Sequence, residues 1–176
     1  MNEKTENHRT ISENKKILSA LKILPFVFAL HNVEEAWYIS RYEQAALTPL
    51  VITPFQFIIA VSLFTLLGFA LVYGEKYYPS PQTYLYTVTG FSGMLFLNTF
   101  FPHILSAIFL SSYTPGIITA VLLILPCTTL ILWEIFKGNY LTDKQLISTI
   151  LIGGAAGIGF VTLFLGIGYI FSVYIY

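Results

Sequence analysis

What most constrains this chain is where its charges are absent. After Glu43 no ionised side chain occurs until Glu75, and after Lys76 none occurs until Glu134. A bilayer's hydrocarbon core is about 30 Å thick and a helix rises about 1.5 Å per residue, so roughly 20 apolar residues cross it. Four stretches meet that length: Leu50 to Tyr73, Thr83 to Leu110, Pro115 to Ile135, and Leu146 to Ser172. Composition agrees, with 56% of the 176 residues hydrophobic, 10% charged and a mean hydropathy of +0.73, whereas a soluble domain carries about 25% charged residues. A soluble enzyme, a disordered protein, a coiled coil and a disulfide scaffold are excluded, the single Cys127 lying inside an apolar run. Nine basic and nine acidic residues cancel, so no nucleic-acid partner is expected.

A fifth span, Ile17 to Ile39, is long enough but contains Lys22, His31, Glu34 and Glu35, and a charge at mid-membrane costs about 2.5–3.5 kcal/mol on insertion scales. Lys15 and Lys16 followed by an apolar stretch and Val27-Phe28-Ala29 resemble a cleavable signal. Lys22 and the aromatic continuation through Trp37 and Tyr38 argue for retention. A cytoplasmic N-terminus places Lys4, Arg9, Lys15, Lys16, Lys22, Lys76, Lys137 and Lys144 inside and only Arg41 outside, as the distribution of basic loops requires. The expected architecture is all-α, a polytopic membrane bundle of five transmembrane helices with the N-terminus inside. Residues 1–14 are expected to be a disordered cytoplasmic tail, and residues 15–176 the transmembrane domain. Short connections, including Ser40 to Pro49 and Ser111 to Thr114, make consecutive helices antiparallel neighbours. No internal repeat suggests a transporter built from two matching halves.

Ionisable residues inside a span need a reason to be there. His31, Glu34, Glu35 and Tyr38 stand at i, i+3, i+4 and i+7, one stripe of a helix. Two adjacent buried carboxylates call for a cation or a shared proton. In the third span Asn98 and His103 would diverge by about 140° on an ideal helix. Pro102 removes a donor and clashes with the carbonyl of Asn98, so a kink or a wide, π-like turn should bring the two together. By topology His31 and His103 fall at or beyond mid-membrane on the outer side, level with Tyr113, Pro115 and Thr119 at the start of the fourth span.

His31-Asn32-Val33-Glu34-Glu35 followed by Ala36-Trp37, then Asn98 and His103, then Tyr113-Thr114-Pro115-Gly116 with Thr119 and Pro126, resembles the HXXEE family of bacterial integral membrane proteins. The resemblance covers residues 31–126 and implies a membrane protein with a common polar site, without supplying a reaction.

Three readings of the polar group stand. In the first, a metal-dependent membrane-embedded enzyme acting on a lipid or other apolar substrate, His31, Glu34, Glu35, His103 and Asn98 ligate Zn²⁺, Fe²⁺ or Mn²⁺, supported by Tyr38, Tyr113 and Thr119, with Glu34 or Glu35 also the general base and the histidines ligands or proton carriers. The pattern is not His-Glu-x-x-His, and four carboxylates for a di-metal bundle are lacking. In the second, Glu34, Glu35 and His31 perform metal-free acid–base chemistry on a lipid or other apolar substrate entering from the bilayer, isomerising, hydrating or hydrolysing it. In the third, the group is a hydrogen-bond network. A small carrier or channel binding protons or cations is the non-catalytic alternative. No organic cofactor is expected. Gly153-x-x-x-Gly157 and Ala155-x-x-x-Gly159 read as helix-packing surfaces, within the chain or across a homodimer. Glu134 reads as an interfacial anchor near Lys137, and Cys127 as packing.

Overall fold

The computed structural model describes residues 11, 14–41 and 52–175, and these are helices and short connections. Five helices are long and apolar enough to cross a membrane: α1 (Lys15–Ile39), α2 (Pro54–Tyr73), α3 (Pro81–Leu110), α4 (Ile117–Lys137) and α5 (Asp143–Ile175). Their starts follow local chemistry. Asn14, Thr53 and Ser80 each accept a hydrogen bond from a backbone N–H of the first turn, and Pro54 and Pro81 occupy positions where no donor is needed. At α5, Gln145 N–H donates to Thr142 Oγ1 while Thr142 N–H donates back to Gln145 Oε1, a reciprocal capping box.

Most of the expected tail and of the Ser40 to Pro49 connection lies outside the described residues. Ile11, within the expected tail, is buried in the core. Asn14 and Lys16 approach Glu134 from across the bundle, at 3.5 and 4.0 Å. Glu134 therefore ties α4 to the start of α1. Cys127 packs with Sγ 3.6 Å from the Ala20 carbonyl.

The core is built from Ile17, Leu21 and Leu24 of α1, Leu95 of α3, and Ile124, Ile131 and Ile135 of α4. Phe28 packs edge-on against Phe64 and Phe91, tying α1 to α2 and α3. Helices α3 and α5 cross in backbone contact, since a Cβ on Gly153 would run into the backbone of Gly90 and one on Gly157 into the Met94 side chain. Close approach through small residues is how helices gain contact in lipid. Half of the glycine stripe is thus used within the chain. Among the described residues nothing lies within 4 Å of a Cβ built on Gly159. The outer surface carries Leu66, Ile108, Leu122, Ile152 and Ile170, all more than half exposed, which suits a lipid environment.

Two helices are interrupted, both near proline. In α3 the helix kinks within Thr99–Ile104: Phe101 is extended (φ −131°, ψ 117°), as a residue preceding proline prefers, and the Phe101–Pro102 peptide is cis. In α4 a wide turn spans Ala120–Ile124, one turn before Pro126, whose ring crowds the carbonyl four residues back. The first interruption presents His103, and the second follows directly on Thr119.

Candidate metal centre

The α1 stripe, the α3 interruption and the start of α4 meet at one end of the bundle. His31 and His103 are buried, with ring centroids 4.7 Å apart and planes nearly perpendicular. The kink brings Asn98 Nδ2 within 3.0 Å of His103 Nε2, the pairing an ideal helix would forbid.

Each imidazole is held through Nδ1. His103 Nδ1 lies 2.9 Å from the Pro115 carbonyl, which only accepts, so this nitrogen carries the proton. His31 Nδ1 lies 3.0 Å from Thr119 Oγ1. The single Thr119 hydroxyl proton is directed to Glu34 Oε2 at 2.5 Å, so His31 Nδ1 must be the donor to Thr119. Both rings therefore turn an unprotonated Nε2 inward. There, Glu35 Oε1 lies 3.8 Å from His31 Nε2 and 3.5 Å from His103 Nε2. These distances exceed a hydrogen bond. His31 Nε2 is buried without any hydrogen-bond partner. One ligand atom from each of His31, Glu35 and His103 falls within 4.8 Å of the others, close enough to hold a metal ion.

Glu34 does something else. Its Oε1 accepts from the Tyr113 hydroxyl and from Ile118 N–H at 3.2 Å, and its Oε2 from Thr119 N–H at 2.8 Å and from Thr119 Oγ1. A carboxylate from α1 thus satisfies the free N–H groups at the start of α4, where the helix dipole favours negative charge. Burial, and then the bond to Glu34, hold the Tyr113 phenol above its usual pKa, so it remains a donor. Glu34, expected as a ligand, bonds to Tyr113, Ile118 and Thr119 and so clamps α1 to the start of α4, while adjacent Glu35 faces the two imidazoles. Tyr38 lies against the Tyr113 ring, centroids 4.9 Å apart, outside the triad.

Sequence reasoning missed two residues. Asn32 donates to Thr65 Oγ1 at 2.7 Å and fixes α1 against α2; its polarity inside a span was a signal. Gly116 has φ +79°, and a Cβ there would stand 2.6 Å from His31 Cε1, 2.8 Å from Glu35 Cγ and 3.0 Å from His103 Cε1. Its glycine is demanded by both the backbone and the space, and only its place after Pro115 hinted at a turn. His31, Glu35 and Asn98 also border a cavity of about 710 Å³ with otherwise mostly apolar walls.

Comparison with known proteins agrees with the motif. The family described as "Protein of unknown function with HXXEE motif" matches residues 22–131, more than half of the chain. The Bacillus subtilis (strain 168) protein named "Uncharacterized protein YrkK" is 28% identical over 144 residues, covering 81% of this chain and 91% of that protein. No solved structure matches. With its motif histidine and second glutamate facing one buried centre, and its first glutamate clamping two helices, the chain belongs to the HXXEE-motif family.

Proposed function

We propose that the chain is a membrane-embedded enzyme in which His31, Glu35 and His103 hold a divalent metal, zinc, iron or manganese, and which hydrolyses or isomerises a lipid or other apolar substrate. The observation that carries this reading is the orphaned, inward His31 Nε2, which faces a Glu35 oxygen that also stands 3.5 Å from His103 Nε2, itself accepting from the Asn98 amide. Metal-bound histidines characteristically give their other ring N–H to a fixed acceptor, as both do here to Thr119 and Pro115. Ligand atoms around a tetrahedral zinc with bonds of about 2.0–2.2 Å stand about 3.4 Å apart, close to the two Glu35 separations. Three protein ligands leave a fourth position open, the pattern of catalytic rather than structural sites.

A metal bound there would supply a Lewis acid for a substrate oxygen. The chain's own residues would do the rest. Glu35 has a second carboxylate oxygen to take or return a proton, Asn98 offers an N–H donor beside His103, and apolar walls exclude bulk water. The basic-residue distribution supports a cytoplasmic N-terminus in the cell membrane of a bacterium, which puts the centre in the outer half of the bundle.

Thr119→Val is expected to release the His31 tautomer while keeping the Thr119 N–H bond to Glu34. Metal affinity should fall about 10–100-fold, as for other partners behind a ligand, with the helical circular dichroism unchanged; isothermal titration with zinc measures it. An acceptor-only cluster also suits reversible binding of a proton or cation by a carrier. Lipid extracts of cells expressing wild type or Glu35→Gln separate the two. The enzyme reading expects a lipid species that changes with the wild-type chain alone, and an unchanged lipid profile with altered cation uptake would contradict it.

A further inference from the structure

The cavity beside the centre extends well beyond it. Its polar wall is His31, Glu35 and Asn98. The other polar side chains on it, Asn32 and Thr162, are already bonded to Thr65 and to the Ile158 carbonyl. Phe57 and Phe64 of α2, Met94 of α3 and Val161 and Leu165 of α5 form much of the remainder. On α5 the lining runs along one face from Leu151 to Leu165, about 21 Å at 1.5 Å per residue. Leu97 and Phe101 of α3 and Leu151 and Ile158 of α5 line the cavity and are also 36–73% exposed. The cavity therefore opens sideways between α3 and α5, through a surface that suits lipid. The opening lies beyond the Gly90 and Gly153 crossing, beside the interruption of α3 at Phe101.

We infer that this cavity binds a single-chain amphiphile drawn from the bilayer, its apolar chain lying along α5 and its oxygen-bearing head at Glu35, Asn98 and the two histidines. The inference names the substrate class for the metal centre proposed above and rests on that proposal for the head group. The cavity's volume accommodates one chain. At about 30 Å³ per heavy atom, similar to one water's share of the liquid, the cavity holds roughly 20 heavy atoms, enough for one long chain with a small head. A lipid with two acyl chains has more than twice as many. Polarity sets the direction, because the free polar groups are confined to the α1 and α3 wall.

The test uses the full chain in lipid nanodiscs with two photoreactive probes, a long-chain fatty alcohol with a terminal diazirine and a phosphatidylcholine with a diazirine on one of its two chains. With its head beside Asn98, the alcohol's terminal diazirine should label peptides within Leu151–Leu165 on α5, and excess unlabelled alcohol should suppress the labelling. Ala155→Phe and Val161→Trp, which fill the cavity, should each reduce that labelling about tenfold, a change of about 1.4 kcal/mol in binding, with metal content as in wild type. Leu163→Trp, on the exposed face of α5 away from the cavity, should leave it unchanged. Equal suppressible labelling by phosphatidylcholine, or labelling by the alcohol that Ala155→Phe and Val161→Trp leave intact, would overturn the inference. Metal content is measured on the same samples. Full metal without suppressible labelling defeats the cavity ligand alone, and suppressible labelling without metal defeats the metal centre while the cavity ligand stands.

Discussion

In a zinc titration of the purified chain, Glu35→Gln is expected to weaken binding by more than about a hundredfold, beyond the loss from partners that only support a ligand, while thermal stability without metal stays near that of wild type. Glutamine keeps the volume of Glu35 but removes its charge. Among the described residues no hydrogen bond from Glu35 to another side chain is sacrificed, its Oε1 standing 3.5 and 3.8 Å from the two imidazoles. Glu34→Gln, one residue away, should behave in the opposite sense. Four donors converge on the Glu34 carboxylate, and an amide presents N–H groups to half of them. A loss of about 1.5–3 kcal/mol is expected, the scale of hydrogen bonds to a charged group, read as a lower melting temperature in detergent. Equal zinc affinities for the two variants would contradict the division of labour between the glutamates.

Gly116→Ala should damage the centre without touching a ligand. An L-residue in the left-handed region costs about 1–2 kcal/mol, and Gly116 has φ +79°. The added methyl would also press on His31, Glu35 and His103 together, so either the α3–α4 connection shifts or all three side chains do. A site tolerates displacements of only about 0.5 Å, so zinc affinity should fall by more than about tenfold, with helical content preserved in circular dichroism. A variant with wild-type affinity would show that the turn does not shape the centre.

Much of the fold is legible in the sequence because a membrane span is a statement about single residues. The charge-free runs at 44–74 and 77–133 enclose α2, α3 and most of α4, and the stripe from His31 to Tyr38 lies on one helix as its spacing requires. The meeting of Asn98 and His103 was also readable, since Pro102 is expected to interrupt the helix and the chain does kink there. What stayed hidden depends on partners distant in sequence. Glu34 and Glu35 differ by one position and share every local property; only the start of α4, more than eighty residues later, distinguishes clamp from ligand. The pairing of Glu134 with Asn14 and Lys16 likewise spans the chain. Gly116 was unreadable as a site residue because its contribution is the absence of a side chain. The glycine stripe was readable as packing, whereas its target, Gly90 of α3, was not.

The account depends on a cation held between His31, Glu35 and His103. Elemental analysis of the full chain, purified in detergent without chelators alongside a His31→Ala and His103→Ala double variant, tests that most directly. About one zinc, iron or manganese ion per wild-type chain, and none in the double variant, is predicted for a centre with two imidazole ligands. Less than about a tenth of an ion per chain in both, persisting after incubation with each metal, would contradict it.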